Sequence, residues 1–324
     1  MSNFDFEDIN LVPKLCIVDS RSECSTDMVL GKYTFRLPVV PANMECVIDQ
    51  EVAIKLASHR YFYIYHRFNN DTVEFSKKMK EQSLPISISL GVNEDSYKII
   101  DELVRQNITP DFITIDIAHG HSIKMKNIVL YIYKKYPSST PFIIAGNVST
   151  GDAVRDLEEW GANAIKAGIG PGSACSTYTM TGFGSRGAQA STILYCSQAK
   201  TKPETKIIAD GGIKEPGDIA KALALGADFV MVGGMFSGLS DSPGNLVKGQ
   251  DGKLYKEFWG SASEFQSGKK DRIEGTKKLI PAKYHGYLDE MRYIHQSLQS
   301  AISYGGGKDL ACLKSVKYIL KKMR

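Results

Sequence analysis

Along this chain, short runs in which almost every residue is apolar or β-branched alternate with longer stretches whose apolar residues return at the helical period. Eight such runs stand out: 38–43 (PVVPAN), 62–67 (FYIYHR), 85–91 (PISISLG), 112–120 (FITIDIAHG), 141–148 (PFIIAGNV), 164–170 (AIKAGIG), 206–213 (KIIADGGI) and 229–234 (FVMVGG). Each is bounded by Gly, Pro or Asn, which predicts strands. The intervening stretches, among them DQEVAIKLAS, EDSYKIIDELVRQ, GDAVRDLEEWG and EPGDIAKALALG, place acidic residues near their starts and predict amphipathic helices. Strands apolar on both faces that alternate with helices must be parallel and covered on both sides. Eight units of roughly 25 to 30 residues predict an α/β fold of the (β/α)₈ TIM-barrel type, one domain over 1–324. An open Rossmann sheet is the alternative, but no G-x-G-x-x-G follows the first strand.

The regular spacing breaks in three places. Between the sixth and seventh strands lies GPGSACSTYTMTGFGSRGAQ, a loop long enough to imply function. After the eighth strand, about 236–281, rich in Gly, Ser, Lys and Asp, reads as a mobile flap over the barrel mouth. The last segment, about 284–324, predicts two closing helices separated at Gly305 to Gly307.

A length of 324 residues with 43% hydrophobic content can bury one large core. The net charge of +4, from 40 basic and 36 acidic residues, is too small an excess for a dedicated nucleic-acid binder and suits an anionic small molecule. No apolar stretch is long enough to cross a bilayer, and MSNFDFEDIN lacks the pattern of a secretory signal, so a cytoplasmic protein without membrane contact is expected. The six cysteines (Cys16, Cys24, Cys46, Cys175, Cys196 and Cys312) form no C-x-x-C pair, so neither a disulfide framework nor a zinc site is indicated.

Cys175 differs from the other five. It follows Gly168, Gly170, Gly172 and Ser173 at the end of the sixth strand, with Thr177 two residues on. Small residues there let backbone approach a ligand while one thiol faces the mouth, which makes Cys175 the candidate nucleophile. Asp210, Gly211 and Gly212 end the seventh strand, and Gly233 and Gly234 the eighth. Glycine turns aimed at helix starts bind phosphate through backbone N–H groups, and a carboxylate among them suits ribose hydroxyls better than phosphate. His119 and His121 share a loop with no third ligand beside them, which does not make a metal site.

The strings AGNVSTGDAVRDLEEWGANAIKAGIGPGSACSTYTMTGFG, IIADGGIKEPGDIAKALALGADFVMVGGMFSG and DFITIDIAHGHS resemble the signature regions of the IMP dehydrogenase/GMP reductase family, in order over nearly the whole chain. The resemblance implies a TIM barrel, usually a homotetramer, whose cysteine bonds covalently to purine carbon 2 during hydride transfer with a nicotinamide cofactor. Dehydrogenases of this family usually insert regulatory domains after the second barrel unit and carry an Arg-Tyr pair on the flap that activates water. Here FYIYHRF runs almost directly into a helix and PISISLG, and Arg272 is followed by Ile273. The reductases carry a Thr two residues after the cysteine and a Glu before Gly on the flap, which Thr177 and Glu274 match, and Pro171 in GPGSAC is similar to theirs. By this resemblance the substrate is GMP and the cofactor NADPH. Thr177 and Glu274 deliver protons, and Ser173, Ser263, Arg272 and Gly275 contact the purine. Asp116, Ala118 and His119 meet the cofactor, and the carbonyls of Gly170, Gly172 and Cys175 can hold K⁺. Many reductases have Arg where this chain has Tyr178, a departure that bears on cofactor contact. The alternatives are a dehydrogenase without regulatory domains and a non-catalytic barrel binding purine nucleotide or RNA. The basic tail KSVKYILKKMR motivates the last, although such spacing usually marks a solvated helix face.

Overall fold

The computed structural model describes residues 3–268 and 273–321. Seven of the eight apolar runs form one curled parallel sheet. Its strands are Val39–Pro41, Ser87–Leu90, Phe112–Asp116, Phe142–Val148, Ala164–Ala167, Lys206–Asp210 and Phe229–Val232. The first and last are neighbours, Val39 opposite Val230, and the others pair in sequence order, as a (β/α)₈ barrel requires. The second run, 62–67, is not a strand. It fills its place in the ring through one bridge, with Tyr65 N donating to Ser87 O at 3.1 Å and Ser89 N to Tyr65 O at 3.0 Å. Its hold on the barrel comes from rings: Phe62 and Ile64 point inward, while Tyr63 packs outward on Phe75.

Alternation along the strands sorts side chains into two cores. Ile113, Ile143, Ile165, Ile207 and Val230 face the helices, whereas Val40, Phe62, Phe112, Ile144, Ala164, Ile208 and Phe229 fill the interior. A hairpin absent from the sequence reading, Met28–Leu30 with Tyr33–Phe35, plugs the bottom by adding Leu30 and Phe35 to that inner set. Phe62 lies 5.0 Å from both Phe35 and Phe112, centroid to centroid. Each ring so buried stabilises the fold by roughly 1.5–3 kcal/mol. Above this aromatic floor the interior turns polar. A Cβ on Gly146 would stand 2.6 Å from the Cβ of Lys166, so glycine at 146 leaves room for a lysine to rise through the barrel toward its mouth.

The helices begin where their acidic or hydroxyl caps predict. Asp49 accepts from Val52 N before Gln50–Ser58, Ser122 from Met125 N before Ile123–Lys135, and Thr150 from Ala153 N before Gly151–Trp160. The flap insertion contains a three-stranded antiparallel sheet, Leu246–Lys248, Leu254–Trp259 and Lys277–Pro281. Among the described residues one of the two expected closing helices forms, Tyr287–Tyr304. Beyond the glycine break the chain makes a 3₁₀ turn, Leu310–Ser315, and a strand, Tyr318–Leu320, antiparallel to Ile9–Leu11. Pairing with the N-terminal strand satisfies the backbone of this segment in place of a helix. No helix among the described residues is long and apolar enough to cross a membrane.

Candidate active site

The loop after Ala164–Ala167 begins at Gly168, whose φ of +139° few side chains adopt, and whose Cβ would overlap the Asp210 carbonyl oxygen. Gln189 Nε2 donates to that same carbonyl and to Ala167 O, both at 3.1 Å, so the loop's two ends are fastened to the seventh strand. The chain then turns at Gly172, where Cys175 N donates to Gly172 O at 3.0 Å, and Cys175 emerges half-buried at the mouth. Thr177 follows at the start of the short helix Thr177–Thr181 and is 8% exposed.

The flap meets this loop as an antiparallel partner. Ser176 N donates to Glu274 O at 3.1 Å, Thr276 N to Ala174 O at 2.8 Å, and Ser176 Oγ to Ile273 O at 2.9 Å. The approach requires two glycines: a Cβ on Gly260 would lie 2.7 Å from Ala174 O, and one on Gly275 would lie 2.8 Å from Ser263 N. Because the two segments pair here, the Glu274 carboxylate reaches Thr177 beside the thiol. Thr177 Oγ1 donates to Glu274 Oε2 at 2.8 Å and stands 3.1 Å from Cys175 Sγ, while the sulfur is 3.6 Å from Glu274 O. A threonine hydroxyl that donates to a carboxylate has lone pairs left for the thiol proton, so sulfur, hydroxyl and carboxylate form one chain along which a proton can move.

Across the mouth, Asp116 and Asp210 flank the ammonium of Lys166, at 2.6 and 3.1 Å. Burial alone would raise the Asp116 carboxyl, but Lys166 and Arg67 outweigh it and hold Asp116 below its ordinary value. For Lys166 burial pulls downward, and the two carboxylates reverse it, holding the ammonium charged well above its usual range. Asp210 Oδ2 also accepts from Asn147 Nδ2 at 2.7 Å, whose other hydrogen goes to Gly168 O, also at 2.7 Å. Among the described residues none donates to Asp210 Oδ1, which leaves that oxygen for a ligand. Beside it, Gly211 and Gly212 have φ of +89° and +79°, a left-handed pair that turns successive N–H groups to one side. Gly234 opens the turn Gly234–Ser237 onto free space.

The other residues singled out from the sequence are spread over this mouth. Ser173 is exposed on the thiol's turn, Tyr178 is half-exposed on the short helix, and Ala118 and His119 are exposed on the loop after Asp116. Ser263 is buried and caps Glu264–Ser267, accepting from Gln266 N and donating to Gly260 O. Arg272 lies outside the described residues. His121 is held by Asp156 at 2.7 Å, and among the described residues no three His, Cys, Asp or Glu side chains gather as metal ligands. Lys166, Asn147 and Arg67 were missed by the sequence reading. Lys166 had a visible signal, a charge at an inward position of an otherwise apolar strand.

A (β/α)₈ barrel whose mouth sets a thiol–hydroxyl–carboxylate chain against glycine turns is built to engage a small phosphorylated molecule. Comparison with known proteins narrows this class. Residues 3–323 match the model of the IMP dehydrogenase / GMP reductase domain, and the chain belongs to that family. It is 51% identical to the GMP reductase of Mycoplasma mycoides over 321 residues, 99% of this chain and 98% of the relative. It is 52% identical to the GMP reductase of Mesoplasma florum over 323 residues, 99% of each, and 51% identical to that of Clostridium acetobutylicum over 323 residues, 99% and 96%.

Proposed function

We propose that the chain is a GMP reductase, an oxidoreductase that converts GMP to IMP with NADPH and releases ammonia, in purine nucleotide salvage. The observation that carries this reading is the position of Thr177 between the Cys175 sulfur and the Glu274 carboxylate. In the proposed sequence the Cys175 proton passes through the Thr177 hydroxyl to Glu274, and the thiolate forms a bond to carbon 2 of GMP. An exocyclic amine is a poor leaving group, so Glu274 returns the proton through Thr177 as the carbon–nitrogen bond breaks. Ammonia departs, and the purine stays on Cys175 as a thioimidate. The reduced nicotinamide, when bound, supplies the hydride to carbon 2. The carbon–sulfur bond then breaks, the electron pair returns to Cys175, and the thiolate is reprotonated along the same chain by a proton that Glu274 takes up from solvent, which closes the balance of the reaction.

Asp210 would hold the ribose hydroxyls through Oδ1, Gly211, Gly212, Gly233 and Gly234 the phosphate, and Ser173, Ser263, Arg272 and Gly275 the purine. The cofactor would lie toward Asp116, Ala118, His119 and Tyr178. The residues fit such a group: beside Asp116, Arg67 Nε is a buried polar atom with no partner among the described residues, a donor lacking an acceptor. The carbonyls of Gly170, Gly172 and Cys175 are a hard-oxygen set that suits K⁺, and no step passes through it. The working form would be a cytoplasmic homotetramer that binds neither nucleic acid nor membrane.

The test is purified protein with GMP and NADPH, following ammonia and nicotinamide oxidation together. Equal amounts of both, and IMP as product, support the reading. XMP formed from IMP and NAD⁺, with no turnover of GMP, would overturn it in favour of a dehydrogenase.

A further inference from the structure

Lys166 arises from the sixth strand, yet both its charge partners sit on other strands, Asp116 at the end of the fourth and Asp210 at the end of the seventh. It is 2% exposed, and Gly146 on the neighbouring strand is the residue whose missing side chain lets it stay inside the barrel. Its third side faces the Met231 sulfur at 3.9 Å. We infer that Lys166 is a positioning residue: one buried ammonium fixes Asp116 and Asp210 relative to each other, and so keeps the two halves of the mouth in register. The inference rests on the proposed reading in one respect, that Asp210 serves the nucleotide and Asp116 the cofactor.

Two carboxylates in a low-dielectric site repel unless a cation stands between them. The ammonium between this pair offsets one of the two negative charges and Arg67 adds to its effect on Asp116, while the bonds of Lys166 and Asn147 to Asp210 Oδ2 leave Oδ1 without a donor among the described residues. Asn147 shares that task but is bound to Gly168 O, so it fastens Asp210 to the thiol loop rather than to Asp116. Among the described residues Lys166 alone spans both acids. Without it, Asp210 keeps the Asn147 bond and loses its alignment with Asp116.

The test uses Lys166→Met, which keeps the length of the side chain and removes the charge, and the double variant Lys166→Met with Asp116→Asn, which also removes the carboxylate left unpaired. Each is read by thermal unfolding, by calorimetric GMP binding, and by a crystal structure without ligand. Lys166→Met should unfold earlier, because it strands a buried carboxylate. The double variant should recover most of that stability, yet its GMP affinity should stay lower by roughly 10- to 100-fold, the scale typical of partners that orient a binding group. In both crystal structures the Asp210 carboxylate should be turned from its wild-type position. If the double variant binds GMP as wild type does, Lys166 is a charge balancer and not a positioning residue. An Asp210 carboxylate unmoved in both variants would refute the inference even if the wild-type protein proved not to bind GMP, a separate result that would count against the proposed function alone.

Discussion

Replacing Thr177 with valine removes one oxygen and almost no volume. That oxygen donates to Glu274 Oε2 at 2.8 Å and lies 3.1 Å from the Cys175 sulfur, whereas Glu274 itself meets the sulfur through its backbone oxygen, at 3.6 Å. The substitution therefore breaks the proton path without displacing the thiol. Positioned proton transfer is worth about 10²- to 10⁴-fold, or about 2.7–5.4 kcal/mol of barrier. Loss of a hydrogen bond to a carboxylate weakens folding by about 1.5–3 kcal/mol, which a separate melting curve will report. Thr177 touches the leaving group only through the proton it relays, so GMP affinity should be preserved. The assay is steady-state kcat and KM with GMP varied, together with equilibrium GMP binding to the same variant. We expect kcat to fall at least about 100-fold with binding unchanged, and Thr177→Ser, which keeps the hydroxyl, to recover most of the rate. A valine variant within a few-fold of wild-type kcat would refute the relay. A variant that loses GMP binding and rate together would show that the hydroxyl holds substrate instead.

Gly168→Ala should fold poorly or lose activity, because its φ of +139° and its contact with the Asp210 carbonyl admit no side chain; a variant as stable and active as wild type would contradict that packing. Burial pushes the Cys46 and Cys196 thiols up to about 12, so brief alkylation near pH 8 should modify half-buried Cys175 and exposed Cys16 first, as peptide mapping would show; early labelling of Cys46 or Cys196 would contradict it. Asp116, held below its ordinary value against its burial, contributes stability that is full at neutral pH and is lost as pH falls below the usual carboxylate range and through its folded value. The acid side of a melting-temperature profile should accordingly be shallower in Asp116→Asn, and identical acid limbs would remove the carboxylate from the account.

Strands buried on both faces were legible because their sequence is apolar at consecutive positions, and Phe112–Asp116 and Lys206–Asp210 lie within the runs that predicted them. The segment 62–67 carries the same pattern without the ladder, since hydrophobicity reports burial and not hydrogen bonding. In the C-terminal tail, Val316, Tyr318 and Leu320 alternate with a period of two, a strand signal hidden by the helix-forming lysines around them. The bottom hairpin was missed because Gly31 Lys32 is a weak turn signal beside a long polar N-terminal stretch. Cys175 and Thr177 were visible in one loop. Glu274 lies 97 residues beyond Thr177, and only a family resemblance pointed to it, because no local spacing encodes a pairing across the barrel mouth. Lys166 left a signal that was easy to misread: a charge in an apolar strand stands out, but a lysine in a strand ordinarily faces water, and here the absent side chain of Gly146 gives it room inside.

The most direct measurement on the central claim is an acid quench during turnover with NADPH and GMP carrying carbon-13 at position 2, followed by peptide mapping. The account predicts a labelled purine bonded to the peptide that contains Cys175, rising and falling with the progress of the reaction, and no such mass in Cys175→Ala. Steady formation of IMP with no label on that peptide, or the same label on a different cysteine, would contradict it.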